Sequence, residues 1–260
     1  MSNLNFDEGT ARLQRALTLC HDLVVRRSAV LQALNLRTGE RVLEVGCGGG
    51  SWAYEAAQFV GSKGCVCATD ISDAQIAAAK ECCADCSCVN CRVADLTDLP
   101  FDEGSFDVVF CSQVMEYVPS LDESLQEIHR VLRSGGRLII LDTNWSSLVW
   151  YSADPERMKM VLAGWDSHAT YPDLPAILQS RLIKFDLQPL RQSAVPIVNM
   201  SYNESSFSYW IARMIKRYLT TQKTVESSIV DAWLDEFDEL EKEHSYFFSS
   251  TPILTEAIKV

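Results

Sequence analysis

The sequence predicts an α/β domain built on a mostly parallel sheet, and two observations carry that prediction. Arg41-Val42-Leu43-Glu44-Val45 is a short, largely apolar run that passes directly into Gly46, Gly48, Gly49 and Gly50. Such a run reads as a buried parallel strand turning sharply into a helix. The pattern then recurs: Val66-Cys67-Ala68-Thr69-Asp70, Arg92-Val93-Ala94-Asp95-Leu96 and Ser105-Phe106-Asp107-Val108-Val109-Phe110-Cys111 are further strand-like runs, separated by helical stretches. Alternation of that kind makes a parallel sheet with helices packed on it.

Taken in order, Thr10 to Leu34 carries the apolar residues Leu13, Leu17, Leu19, Leu23, Val24, Val30, Leu31 and Leu34, which predicts one broken helix or two consecutive ones. His21 and the pair Arg26-Arg27 are assigned to its solvated face. The glycines after Val45 let the backbone take positive φ and bring a ligand against the main chain. The helix that follows starts near Ser51, with Ala53, Ala56, Ala57 and Val60 on one face and Gly61 as its stop, so its free N–H groups point at the loop. This is a nucleotide-type binding turn. A dinucleotide fingerprint calls for Gly or Ala where Ser51 stands. Asp70 follows Gly46 by 24 positions, where a carboxylate can accept from both ribose hydroxyls of an adenosine. Asp95 ends the third run, where an adenine amino group can donate to it.

Ser72 with Gln75 is a capping-box signature opening a helix through Cys83. Five of the ten cysteines then fall in Cys82-Cys83-Ala84-Asp85-Cys86-Ser87-Cys88-Val89-Asn90-Cys91. Only Ser87 separates the two Cys-x-x-Cys pairs, too little for the usual zinc loop, so no metal is assigned. The direction of the preceding helix sends this loop to the end of the sheet opposite the glycines. Cys47 and Cys111 are the cysteines near the ligand end, read as small fillers.

Ser120 with Glu123 opens a helix with a Leu121, Leu125, Ile128, Leu132 stripe, ended by Gly135-Gly136, and His129 on it reads as a surface or satisfied histidine rather than a catalyst. Arg137 to Leu141 is the fifth strand, which delivers Asp142-Thr143-Asn144-Trp145 to the ligand face. Trp145, Trp150, Tyr151, Trp165 and Tyr171 follow closely, either as the lip of a substrate pocket or as an insertion with its own small core. Delivery by the fifth strand favours the pocket, with Asn144, Trp145 and Trp150 against the substrate. Asp173 to Leu182 reads as a helix, and Leu187 to Val198 as an edge strand because of Pro189 and Pro196. Glu204 to Leu219 and Val225 to Glu243 are helices forming a lid or a dimer face. Tyr246-Phe247-Phe248 and Ile253 to Ile258 are the last strands.

The chain has 260 residues, a net charge of −12, 47% apolar and 22% charged residues. That composition is ordinary for a soluble protein, and the negative charge argues against a nucleic-acid substrate. No apolar run approaches 18 residues and Met1 to Gly9 lacks a signal-peptide core, so a cytoplasmic protein with no membrane span is expected.

The runs Leu43-Glu44-Val45-Gly46-Cys47-Gly48-Gly49-Gly50, Thr69-Asp70-Ile71-Ser72, Ala94-Asp95, Leu99-Pro100-Phe101 through Phe106-Asp107-Val108-Val109, and Leu132-Arg133-Ser134-Gly135-Gly136 together resemble the class I S-adenosylmethionine-dependent methyltransferases. Within them the chain is most similar to the branch that makes ubiquinone and menaquinone. The resemblance covers roughly Leu31 to Asp142. It implies a Rossmann-like seven-stranded sheet, mostly parallel with the last strand antiparallel, and helices on both faces. One domain then spans 1–260, with N-terminal helices (1–34), a cofactor-binding core (35–142), a substrate-pocket segment (143–180), a helical insertion (200–244) and C-terminal strands (245–260).

The same resemblance implies S-adenosyl-L-methionine as cofactor and S-adenosyl-L-homocysteine as product. Glu44 would support the loop and Gly46, Cys47 and Gly48 would face the methionine part. Asp70 would take the ribose and Ile71 would cover the adenine. Ala94, Asp95 and Leu96 would border the adenine amino group, with Ser112 and Gln113 near the sulfonium. A leading helix covering the cofactor would bring Phe6 or Leu13 to it. For a general base His168 comes first, since an unperturbed imidazole titrates near neutrality, and Glu116 and Asp142 follow, each needing a raised pKa. The expected partner is a small-molecule acceptor methylated at O, N, C or S by a monomer or homodimer. A nicotinamide-dependent oxidoreductase is disfavoured by Ser51 and Asp95. A non-catalytic subunit on the same fold is disfavoured by the intact motifs. Arsenic-type methylation is disfavoured because no Cys follows Cys111.

Overall fold

The structure, a computed structural model, describes residues 8–260. The chain opens with two helices, α1 (Glu8–Thr18) and α2 (His21–Leu34). The core then runs β1 (Arg41–Val45), α3 (Ser51–Val60), β2 (Cys65–Asp70), α4 (Asp73–Cys82), β3 (Val89–Val93), β4 (Phe106–Ser112), α5 (Leu121–Val131) and β5 (Leu132–Thr143). Beyond it come β6 (Val149–Trp150), α6 (Pro155–Trp165), α7 (Leu174–Lys184), β7 (Leu187–Ala194), β8 (Ile197–Asn199), α8 (Phe207–Gln222), α9 (Ser227–Lys242), β9 (Phe248–Ser250) and β10 (Pro252–Lys259).

Seven strands form one sheet in the order β3-β2-β1-β4-β5-β10-β7. The pairs among β1 to β5 are parallel, whereas β10 lies antiparallel to both β5 and β7. Strand order reverses between β1 and β4, and in open α/β sheets ligands bind outside the carboxyl ends of the strands at such a point. Successive residues of β1 feed opposite faces, as the pleat requires. Leu43 and Val45 join Leu125, Ile128, Leu178 and Leu182 of α5 and α7, while Val42 joins Val30, Ala53, Ala57 and Ala79 of α2, α3 and α4. Helices therefore cover both faces.

A third core stands apart from the sheet. It gathers Trp150, Val161, Trp165, Ile211, Ile215, Trp233, Phe237 and Phe248 from α6, α8, α9 and a small antiparallel sheet, β6-β9-β8. Leu13 and Leu17 of α1 pack against this cap. Asp22 pins the cap to α2, because its Oδ2 accepts from Asn199 Nδ2 and from the Phe207 N–H, each at 2.8 Å.

Local signals explain several boundaries. Ser72 Oγ accepts from the Gln75 N–H at 3.4 Å and Ser120 Oγ from the Glu123 N–H at 3.3 Å, each satisfying an orphan donor of a first turn. Asp154 does the same for α6, with Pro155 at its start. Pro189 lies in β7, the terminal strand of the sheet, opposite Ala257 and next to a register shift, so its missing donor breaks no ladder bond between central strands.

Two sequence expectations are corrected. Gly135-Gly136 does not end α5: Leu132 is already extended and pairs with Phe106, so the glycines lie inside an irregular start of β5, where the register against β4 shifts. The α5 terminus is instead closed by Lys259, whose Nζ donates to the carbonyls of His129 (2.8 Å) and Leu132 (2.9 Å). The predicted strand at 246–248 begins only at Phe248 and joins the small sheet, because Tyr246 is drawn into the cap as the acceptor of the Trp150 indole N–H.

Candidate functional site

The loop between β1 and α3 is shaped by contacts on one side and openness on the other. Gly46 has φ +67°, and a Cβ there would run into the Val114 side chain. Gly48 has φ +51°, and nothing lies within 4 Å of where its Cβ would be. Gly46 is thus required by packing, whereas Gly48 offers bare backbone to a cavity. Asp70, at the end of β2, holds the loop: its Oδ2 accepts from the Gly48 N–H and its Oδ1 from the Ser72 N–H, both at 2.9 Å. Each oxygen keeps a lone pair for a ligand hydroxyl. Glu44 is buried beneath the loop and accepts from the Ala53 N–H of α3. Burial holds its carboxyl well above the usual range.

These groups border a cavity of about 1020 Å³. Gly46, Cys47, Gly48, Asp70, Ile71, Ala94, Asp95, Leu96, Ser112 and Gln113 all line it, whereas Glu44 does not. Ile71 is 71% exposed, an apolar side chain left bare over the Asp70 turn. Asp95 Oδ1 is engaged by the Thr97 N–H and hydroxyl at 2.9 and 2.8 Å. Gln113 has φ 56°, an uncommon conformation for a non-glycine residue, fixed by its N–H to the Leu141 carbonyl (2.7 Å) and its Oε1 to the Thr143 hydroxyl (2.8 Å). The opposite wall is mostly apolar and comes from the helices: Leu17 of α1, Leu23 of α2, Phe207, Ile211 and Met214 of α8, together with Trp145.

The comparisons with known proteins match this segment. Residues 43–140 match the family described as methyltransferase domain. The segment is thus similar to that family. A demethylmenaquinone methyltransferase of Staphylococcus epidermidis is 34% identical over 124 residues, which is 48% of this chain and 52% of the relative. The Staphylococcus aureus enzyme of the same name is also 34% identical, over equal shares. The chain spans about half the length of the curated relatives it matches. Among solved structures, a putative methyltransferase from Bacillus halodurans superposes with a TM-score of 0.61 at 20% identity, over 89% of this chain and 97% of that one. The geranyl diphosphate C-methyltransferase of Streptomyces coelicolor, solved with geranyl diphosphate and S-adenosyl-L-homocysteine, gives 0.57 at 18% identity, over 95% and 83%. These two share the fold.

The three candidate bases all stand behind the cavity wall. His168 is fully buried, stacked on Trp165 with ring centroids 3.7 Å apart and edge-on to Trp145. Its Nδ1 lies 2.7 Å from the Trp165 carbonyl and so carries the proton, and burial lowers the imidazole to about 3. A group so weakly basic and away from the cavity belongs to packing. Asp142 is buried below the turn after β4, with Oδ1 accepting from the Val114 N–H at 3.1 Å. Burial and the neighbouring Glu116 push its carboxyl well above the usual range. Glu116 is buried too. Its carboxyl accepts from the Tyr117 hydroxyl, from Trp145 Nε1 at 3.0 Å and from the Thr143 N–H at 3.3 Å. Burial outweighs these bonds and raises it to about 7. Tyr117 and Trp145, its two side-chain partners, do line the cavity.

Of the expected substrate residues only Trp145 reaches the cavity. Trp150 is buried in the cap, stacked on Phe237 at 4.7 Å, and Asn144 closes its own turn by accepting from Ser146 and Ser147. Arg26 is not a solvated-face residue: it is 7% exposed and lines the cavity, whereas Arg27 pairs with Glu55 at 2.8 Å. Leu13 packs on the cap rather than the cavity, and Phe6 lies outside the described residues. The cysteine loop is nearer than its topology suggests: Cys82 lines the cavity and the Cys83 thiol donates to the Gly50 carbonyl at 3.5 Å. The wall residues Phe207, Ile211 and Met214 escaped notice because their spacing of four and three is that of any buried helix face.

Proposed function

We propose that this chain is a cytoplasmic S-adenosyl-L-methionine-dependent methyltransferase, a monomer or homodimer, acting on a small, largely apolar acceptor rather than on nucleic acid. The observation that carries the reading is the cradle in which Asp70 receives the Gly48 and Ser72 N–H groups on the wall of one large cavity. Asp70 then has free lone pairs for the two ribose hydroxyls, Ile71 covers the adenine and Asp95 accepts from its amino group. Gly46 to Gly48 receive the methionine part, with Ser112 and Gln113 beside the sulfur. The bound cofactor supplies a methyl group on a sulfonium for in-line displacement. The chain supplies alignment, worth roughly 7–11 kcal/mol in well-oriented systems, and a dry wall of Leu17, Leu23, Trp145, Phe207, Ile211 and Met214 for the acceptor.

An acceptor that keeps a proton until late would lose it to the Tyr117 oxygen as the Tyr117 proton moves to Glu116. Glu116 accepts only when ionised, so kcat should rise as pH climbs through about 7. In Glu116→Gln that rise should vanish while binding of S-adenosylhomocysteine stays intact. The reading itself is tested by thermal shift with S-adenosylmethionine, S-adenosylhomocysteine and NAD. At 100 times Kd a ligand adds about 2.7 kcal/mol, a rise of several degrees for this size. A rise with the adenosyl ligands alone is expected, and a rise with NAD alone defeats the proposal.

A further inference from the structure

The outer surface of the cap carries features that the cavity chemistry leaves unused. Between α6 and β6 runs an open groove of about 1040 Å³, and none of its lining residues borders the cavity at the glycine loop. Val149 in β6 and Tyr151 just beyond it stand bare along the groove, 54% and 49% exposed, and Leu162 and Phe247 continue the apolar surface. Its serines are already engaged within the chain, Ser152 with Glu236 at 2.8 Å and Ser245 with the Leu240 carbonyl at 3.5 Å. The charged side chains left on it are Lys159 and Asp166. A contiguous bare apolar surface edged by charge marks a protein contact.

The two charges are placed so that the surface complements itself. Lys159, Leu162, Ala163 and Asp166 share one stripe of α6, with Asp166 as the residue of helical backbone that closes it. Lys159 and Asp166 lie symmetrically about the Leu162–Ala163 peptide bond. Among the described residues neither makes an ion pair, and the charge beside Asp166 is another carboxylate, Asp173. Arg157 of the same helix is, by contrast, paired with Glu236 at 2.7 Å. When two copies of this stripe pack antiparallel, Leu162 of each meets Ala163 of the other, and Lys159 of each meets Asp166 of the other. A two-fold interface requires a surface of that kind. The small Ala163 lets the helix backbones approach at the axis. A net charge of −12 opposes unspecific association of copies, so a face with opposite charges in register is the one selected.

We infer that this face of α6 and β6 is a homodimer interface, in which two copies pack α6 antiparallel and Lys159 of each pairs with Asp166 of the other. The inference does not rest on the methyltransferase reading.

The test is sedimentation velocity on the full chain loaded at about 1 to 100 μM, a range that brackets an ordinary dimer. The wild type should pass within it from the 29.1 kDa monomer to twice that mass. Lys159→Glu and Asp166→Lys each set two pairs of like charges against one another, so either should weaken the dimer at least about tenfold. The double variant Lys159→Glu/Asp166→Lys restores both pairs with their signs reversed, and its Kd should return to within about threefold of the wild type. Ala163→Arg should stay monomeric throughout. These side chains face solvent in the single copy, so thermal unfolding of the monomer should not change; if Ala163→Arg does not fold, the charge variants carry the test. A wild type that stays monomeric overturns the inference and leaves the groove to a different protein. A dimer that no substitution weakens overturns it by placing the contact on another face. A double variant no tighter than the single ones overturns it as well, because the two charges then do not meet.

Discussion

The two walls of the cavity are built by different means. The core wall is made of backbone geometry: glycines with positive φ, one carboxylate clamping two N–H groups, and a strained Gln113 at the end of a strand. The cap wall is made of apolar side chains on helices, with Phe207, Ile211 and Met214 supplied by the same α8 that buries Ile215 and Leu219 in the cap's own core. On the first wall position is dictated by fold and tolerates little change. On the second any apolar residue of suitable volume keeps the helix packed, so shape is free to follow the acceptor. On the proposed function, the cofactor side is therefore the constrained one and the acceptor side the adaptable one.

The sharpest way to break this contrast is to damage each wall and read both stability and binding. Trp150→Ala removes a ring stacked on Phe237 in the cap core, and should cost about 3–5 kcal/mol in urea unfolding. Affinity for S-adenosylhomocysteine should stay within about twofold where the protein is folded, and a large loss would mean that the walls are not separable. Asp70→Ala should do the reverse. It releases the Gly48 N–H and the ribose contacts together, so calorimetry should show about 3 kcal/mol of lost affinity, with stability changed far less.

His168 sharpens the comparison through pH. Its folded pKa, about 3, lies below the unfolded value near 6.5, so its stabilising contribution is present above 6.5 and lost as pH falls toward 3. Between pH 7 and pH 5 the wild type should lose roughly 2 kcal/mol through this residue, and His168→Gln should lose correspondingly less over the same interval. Parallel urea midpoints for the two proteins would remove His168 from the account of acid sensitivity. The smallest effect is expected at Asn144→Ala. That turn residue accepts only from its neighbours Ser146 and Ser147, so cofactor affinity and activity should shift by less than about 0.5 kcal/mol.

Legibility in the sequence follows the same division. Gly46, Gly48, Gly49, Asp70, Ile71 and Asp95 could be placed because a strand–turn–helix fixes ligand groups at set distances along the chain, and all of them line the cavity. His168 misled because composition marks it as the one side chain that titrates near neutrality, while the burial that lowers its pKa comes from Trp165 and Trp145 packed in three dimensions. Arg26 misled in the opposite direction. An Arg-Arg pair on a helix reads as solvated, and only the packing of α2 on the sheet separates the buried member from the one paired with Glu55. The glycine pair at 135–136 looked like a helix stop because glycine commonly ends helices, yet the helix had ended earlier, at Val131.

Asp22 sets a limit on how far the adaptable wall can be exchanged as a unit. Its single Oδ2 holds both Asn199 and the first N–H of α8, so the helix bearing Arg26 and the helix bearing Phe207 share one fastening. A chimera that imports a foreign cap to reach a new acceptor would inherit a misaligned wall unless it also imported the partner of Asp22.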